Sequence, residues 1–285
     1  LGISDTETNN GWYIMWEGAL AAIVFNLTNP FYSMFAKRMG AGDFHIGLIT
    51  SLPAFAGIFA LIPGAIIVDR YKDKRKAVEL FILLTAVVFP MAAASPFMGS
   101  FKVVFYIAMI SLLNWPFSIY NTSWQSYFSD VFSPKKRNKV YAARTRAYTF
   151  FGMLATLSAG MMMANFPRND QQRIIYYQFF YILAFVLSIY QLYLLRKVKA
   201  NGAVQNQAPS STSIGSLKES FNLVIKNKAY VSFILAAFIF HVSWQMAWPL
   251  FFIYEVDYLH ANEAWLSLIA VSSALANVVT YSYWS

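Results

Sequence analysis

Four polar side chains recur at helical spacing inside one apolar stretch of the chain. They are Asn114, Ser118, Asn121 and Gln125. Their intervals of four, three and four residues place them on one face of an α-helix. Polar groups are costly inside a membrane and collect where a helix faces a cavity or another helix. We expect this face to line a solute cavity. The alternative is that these side chains bridge packed helices, at about 0.6 kcal/mol per contact.

Two other apolar stretches carry comparable polar sets. One set is His241, Trp244, Gln245 and Trp248, and the other is Asn26, Asn29 and Ser33. Together the three sets offer amides, hydroxyls, an imidazole and indoles, without a fixed cation deep in the membrane. Such a lining suits a neutral polyol, a sugar or an amphipathic molecule. A dicarboxylate or a phosphate ester would call for Arg or Lys. Packing is again the alternative for both sets.

Glu17 is the one carboxylate well inside an apolar stretch, and a buried carboxylate can carry a proton. It lies about 180° around the helix from Asn26, so both cannot point into one cavity. We favour a second interpretation, in which Glu17 lies near the cytoplasmic surface and pairs with Arg144 or Arg146. His241 is a further candidate for proton coupling, although we favour the alternative of a neutral, hydrogen-bonded histidine. Protons or sodium are the candidate coupling ions.

The chain lacks the residues that metal binding, disulfide formation or catalysis would need. The three histidines are dispersed and the chain has no cysteine, so we expect no metal site, disulfide or cofactor. It shows no paired intramembrane acids, no Ser/His constellation and no phosphate-binding loop, so we expect no enzyme. The net charge of +9 reflects membrane topology and indicates no nucleic-acid partner.

The elements that hold these residues are predicted from hydropathy. Hydrophobic residues make up 58% of the chain and charged residues 12%, whereas about a quarter is usual in soluble domains. Spans of roughly 20 apolar residues cross the hydrocarbon core as helices. Segments 1 to 8 are Trp12–Phe35, Phe44–Val68, Ala77–Met98, Phe101–Ser126, Thr145–Phe166, Ile174–Leu195, Ala229–Tyr254 and Ala264–Ser285. The predicted fold class is an all-α, polytopic membrane helix bundle.

Basic residues predict the orientation and the domains. Most of the 22 Lys and Arg residues follow segments 2, 4 and 6. Because cationic loops stay in the cytoplasm, these loops and the N-terminus are predicted to be cytoplasmic, in a multi-pass protein of the cell membrane. We expect a six-helix bundle over residues 1–195 and an incomplete second bundle over 229–285. Residues 196–228 are predicted to be a cytoplasmic linker that contains an amphipathic helix.

Two loop motifs resemble those of the major facilitator superfamily. The first is Gly64 followed by Asp69, Arg70 and a basic run, although Ala65 and Lys72 stand where the family has glycines. The second runs from Asp130 through Pro134 to Arg137. The resemblance implies the N-terminal two-thirds of a twelve-helix chain, with segments 1, 4 and 7 around a central cavity. It also implies that Asp69 and Arg70, with Arg137, take part in gating. A solvated basic loop is the alternative for these residues.

The resemblance implies a function as well. We expect a secondary active transporter that moves a small, sugar-like or amphipathic solute by alternating access and is coupled to an ion. Its partners would be the solute, the lipid bilayer and the coupling ion. The alternatives are a multidrug or metabolite exporter of the same fold, and a membrane sensor that does not transport. If helices 9 to 12 are missing from this chain, it cannot transport by itself.

Overall fold

Long helices make up nearly all of the protein. The structure, a computed structural model, describes residues 2–71, 73–199 and 224–284, and these contain no strand. Within those ranges seven helices are long and apolar enough to cross a membrane, and α3 is an eighth long helix. The predicted all-α membrane bundle is confirmed. Residues 200–223 of the predicted linker lie outside the described residues, so the linker stays a prediction.

The helices follow the order of the eight predicted segments. Helix α1 (Gly2–Thr28) passes through a 3-10 turn at Asn29–Phe31 into α2 (Tyr32–Arg38), and the two form segment 1. The others are α3 (Asp43–Arg70), α4 (Lys74–Ala93), α5 (Lys102–Val131), α6 (Pro134–Asn165), α7 (Asp170–Lys197), α8 (Lys228–Ile253) and α9 (Glu263–Trp284). A π-helical turn at Tyr254–Tyr258 follows α8.

Helices α1 and α6 begin well before their predicted starts. Helix α1 begins at Gly2 instead of Trp12, and α6 begins at Pro134 instead of Thr145. The polar residues of these turns have partners, which removes the penalty that hydropathy assigns to them. The Glu7 carboxylate is buried and lies 2.8 Å from Lys136 Nζ. The two helices therefore extend beyond the apolar spans that the sequence predicts.

Helices α1 to α7 form one packed unit, here called the N-terminal unit. Helix α1 packs on α6 and α7, α4 packs on α5 and α7, and α3 packs on α5. Aromatic rings fill the core, where the hydroxyls of Tyr106 and Tyr181 lie 2.7 Å apart beside Phe35. Helices α8 and α9 contact this unit from one side, α8 through α3 and α9 through α6.

The bundle has two different ends. Helices α1, α4, α6 and α8 begin at one end, which carries the Lys- and Arg-rich loops and is here called the basic end. The opposite end, here called the distal end, contains the end of α2 and the beginnings of α7 and α9. The predicted orientation places the basic end in the cytoplasm.

Candidate functional site

A large cavity lies between the N-terminal unit and helices α8 and α9, and is here called the central cavity. Its volume is about 740 Å³, within the range of small-molecule sites. Five residues of the predicted polar sets line it: Asn29, Ser33, Asn114, Gln245 and Trp248. They come from α2, α5, α8 and the 3-10 turn after α1. Sequence reasoning missed Thr50 and Glu255, which also line the cavity.

A second cavity of about 250 Å³ lies nearer the basic end and is here called the basic-end cavity. Asn121 and Gln125 line it, together with Arg144 and Tyr148 of α6. The polar face of α5 is therefore divided between two cavities. Asn114 and Gln125 are about 16 Å apart along α5, too far for one small solute to contact both. Ser118, between them, faces Gly57 of α3, where an added Cβ would lie 3.2 Å from its hydroxyl.

A third cavity of about 180 Å³, here called the connecting cavity, lies between these two. Asn26 lines it; its amide donates to the Ala22 carbonyl at 2.9 Å, and its side-chain oxygen accepts from the Thr156 hydroxyl at 3.2 Å. It shares Ala270 with the central cavity and Tyr148 with the basic-end cavity. The three cavities therefore form a row along α1, α5, α6 and α9.

Glu17 is fully buried in a hydrogen-bonded ion pair. Its Oε2 accepts from Arg144 Nε at 3.2 Å and from Nη2 at 3.1 Å. Its Oε1 accepts from the Tyr120 hydroxyl at 2.9 Å and from Gln191 Nε2 at 2.8 Å. This is the pairing that the sequence analysis favoured, and the structure shows in addition that Glu17 is fully buried between the helices. Sequence reasoning missed Tyr120 and Gln191.

The position of Arg144 adds a cation beside part of the predicted lining. The sequence analysis named no fixed cation with Asn121 and Gln125, whereas Arg144 lines the basic-end cavity together with them. Because α6 begins at Pro134, Arg144 lies about 15 Å inside the helix, and hydropathy had assigned it to a loop. Its Cζ is 3.6 Å from the centre of the Trp124 ring. A Cβ at Gly18 would lie 2.5 Å from Arg144 Cγ, so glycine lets the side chain cross α1.

His241 and Trp244 do not line the central cavity, unlike Gln245 and Trp248. Both are exposed on α8, and neither lines any of the three cavities. The ring of Trp244 stacks on Phe240 at 6.5 Å and lies 6.3 Å from Trp248. The roles predicted for His241 and Trp244 in solute binding and proton coupling remain predictions.

Of the three predicted gating residues, the structure describes the side chain of Arg137 alone. Arg137 donates to the carbonyl of Phe132 at 2.8 Å and to that of Ser129, which stabilises the C-terminal end of α5. In this structure Arg137 therefore acts within the N-terminal unit. The side chains of Asp69 and Arg70 lie outside the described residues, so their role as a latch stays a prediction.

Ion pairs join the N-terminal unit to α8 and α9 at the distal end. Glu263 is fully buried; its carboxylate lies 3.0 Å from Arg38 Nη2 and 2.8 Å from Arg173 Nη1, and accepts from the Tyr177 hydroxyl at 3.2 Å. Lys37 pairs with Asp257 beside this group. We call these two sets of contacts the distal gate. Sequence reasoning missed it because Glu263 precedes the predicted start of segment 8.

Helices α6 and α9 approach most closely beside the distal gate. A Cβ at Gly160 would lie 2.5 Å from Ser267 Cβ and 2.8 Å from the Glu263 carbonyl oxygen. Farther toward the basic end, α6 and α9 together line the connecting cavity, and α6 then lines the basic-end cavity. The two helices are therefore in contact at the distal end and are separated by space farther along.

Comparison with known families agrees with this architecture. The sequence profile of the Major Facilitator Superfamily matches residues 18–284, so the chain belongs to that family. No curated protein matches the sequence. The crystal structure of a D-xylose–proton symporter superposes with a TM-score of 0.66 at 12% identity, over 99% of this chain and 69% of that one. The xylose transporter XylE from E. coli, inward open, gives a TM-score of 0.45 at 12% identity, over 80% and 56%.

Family membership confirms a multi-pass membrane protein with the fold of a transporter. It indicates a transporter and not an enzyme. The structural similarity, at 12% identity, shows the fold alone.

Proposed function

We propose that the protein is a secondary active transporter that moves a small neutral solute, sugar-like or amphipathic, by alternating access. The observation that carries this proposal is the central cavity. Polar and aromatic side chains enter it from both sides, Asn29 and Asn114 from the N-terminal unit and Gln245 and Trp248 from α8. A solute bound there would contact both units, and a rocking motion between them would expose it to either side of the membrane.

The chemistry of the central cavity favours an uncharged, oxygen-rich solute. Its lining contains amides, hydroxyls, an indole and the carboxyl group of Glu255 but no Lys or Arg, so a bound carboxylate or phosphate would lack a counter-charge. The exposed indole of Trp248 offers an apolar face for a sugar ring. The structurally similar symporter carries D-xylose by its printed name, which agrees with this class of solute.

Uptake by proteoliposomes that contain the full-length protein tests the proposal. We expect saturable, gradient-dependent uptake of a neutral sugar or polyol, with proton and sodium gradients compared to identify the coupling ion. Asn114→Ala should lower kcat/KM about tenfold, because the solute loses a hydrogen bond and leaves a polar group unpaired.

The matched control is Ser111→Ala on the same helix. The Ser111 hydroxyl donates to the Ile107 carbonyl at 2.8 Å and does not line the central cavity, so uptake should stay unchanged. Equal losses in both variants would contradict a role for Asn114 in the site. The absence of saturable uptake of any neutral solute, from folded protein, would favour a sensor or an exporter of other solutes.

A further inference from the structure

The basic-end cavity combines a buried cation with amide and hydroxyl groups. We propose that it is a second solute site for the same neutral, polyhydroxylated class of solute, with Arg144 as its main hydrogen-bond donor. Glu17 would be the residue that positions and neutralises Arg144. This inference rests on the proposed function and deepens it, because it assigns the solute two successive sites between the distal and basic ends.

Arg144 has N–H donors that its contacts with Glu17 do not use. Glu17 Oε2 accepts one hydrogen bond from Arg144 Nε and one from Arg144 Nη2. A guanidinium has five N–H donors, so the others can reach acceptors outside this pair. Trp124 covers one face of the group, and the side chain lines the basic-end cavity. The guanidinium is therefore held in a fixed position beside that cavity.

Glu17 determines the charge of ligand that this site accepts. The Glu17–Arg144 pair has no net charge, and Tyr120 and Gln191 saturate the second carboxylate oxygen. An anionic ligand would have to compete with Glu17 for the same guanidinium. A neutral ligand with several hydroxyl oxygens can accept from the free donors without disturbing the pair. The site therefore selects for neutral solutes although it contains an arginine.

The remaining walls complete a small polar site. Asn121 and Gln125 supply amides from α5, and Thr145 and Tyr148 supply hydroxyls from α6. The volume of about 250 Å³ is just below the usual range of drug-sized pockets, which limits the site to a small solute. The connecting cavity lies between this site and the central cavity, because it shares Tyr148 with the one and Ala270 with the other. A solute released from Asn114 would meet this second site next.

Because the chain has no cysteine, single cysteines can probe each site. We would introduce Gln125→Cys for the second site and Asn114→Cys for the central one. Lys135→Cys, in the exposed first turn of α6 at the basic end, is the control. A membrane-impermeant thiol reagent is then applied from the basic end, with and without a mixed pool of neutral pentoses, hexoses and polyols. At ten times Kd, the bound solute should slow labelling about tenfold at both sites and not at position 135.

The outcomes separate this inference from the proposed function. Protection at position 114 without protection at position 125 would overturn the second site and leave the proposed function standing. Protection at neither position would overturn both. Protection at position 125 should persist when Asn114 is replaced by alanine. If protection at position 125 is lost in the Asn114→Ala background, that protection reports a conformational change at the central site. This result would also overturn the second site.

The neutralisation of Arg144 by Glu17 can be tested without a solute. In Gln125→Cys we would compare labelling rates with an anionic and a cationic thiol reagent of similar size. Adding Glu17→Gln leaves Arg144 uncompensated, so the ratio of anionic to cationic rates should rise about tenfold. Adding Arg144→Gln as well should restore the original ratio. An unchanged ratio in folded Glu17→Gln protein would overturn the role of Arg144. If that variant does not fold, the protection experiment still decides the matter.

Discussion

Replacing Arg144 with alanine is expected to lower the free energy of unfolding by about 3–5 kcal/mol. The reason is that Glu17 is completely buried and would lose its only counter-ion among the described residues. Tyr120 and Gln191 would still donate to Oε1, but both are neutral. Removing one partner of a buried ion pair costs more than the pair itself contributes, because the remaining charge stays out of water.

Thermal unfolding in detergent measures this effect. For a protein of this size the expected change corresponds to a fall in Tm of about 10 °C. A double variant, Glu17→Gln with Arg144→Met, should recover most of that loss because no buried charge remains. The matched control is Arg146→Ala, whose exposed side chain bonds the Ala142 carbonyl of its own helix. If Arg144→Ala and Arg146→Ala unfold at the same temperature, the pair does not contribute as the geometry indicates.

Replacing Glu263 with alanine should open the distal end of the protein. Glu263 joins α9 to Arg38 and Arg173 of the N-terminal unit, and the variant leaves both guanidiniums without it. Each 1.4 kcal/mol lost from the closed state shifts the equilibrium about tenfold. We expect a cysteine at Ser33, which lines the central cavity, to react at least about tenfold faster with an impermeant reagent from the distal side.

Asp170→Ala is the control for the distal gate. Asp170 also contacts Arg38, at 2.7 Å, but it belongs to the N-terminal unit and is largely exposed. Its loss should weaken no contact between the units and should leave the labelling of Ser33→Cys unchanged. Equal rates in Glu263→Ala and the parent would show that Glu263 does not hold the distal end closed. Faster labelling in Asp170→Ala would show that the effect comes from the position of Arg38.

Hydropathy predicted the order of the eight long helices because that order depends on local composition. It did not predict the extensions at the starts of α1 and α6, where charged and amide groups are present but paired. Glu7 pairs with Lys136, and Asn10 exchanges two hydrogen bonds with the backbone of Lys199. These partners are more than a hundred residues away along the chain. A window of neighbouring residues cannot detect them, so it reports the cost of the polar groups without their compensation.

The candidate site was predicted only in part, for a similar reason. Helical spacing correctly placed Asn114 and Gln125 on one face of α5, since that follows from 3.6 residues per turn. The division of this face between two cavities depends on how α6 and α9 pack against it. Arg144 and Glu263 fell outside the predicted segments, and their roles require contacts between distant helices. Sequence patterns give the face of each helix but not the rotation that brings two faces together.

The close approach at Gly160 makes the two ends of the protein move by different amounts when the N-terminal unit tilts against α9. Gly160 lies about 39 Å along α6 from its first turn, and the Lys136–Glu7 and Arg144–Glu17 pairs join α6 to α1 along that length. A tilt of the whole N-terminal unit by about 10° around this contact would therefore displace the first turn of α6 by about 7 Å. The same tilt would hardly move Glu263, whose carbonyl oxygen is beside the contact. Such a tilt keeps the ion pairs between α1 and α6 intact, whereas opening at the distal end would break the contacts of Glu263 with Arg38 and Arg173.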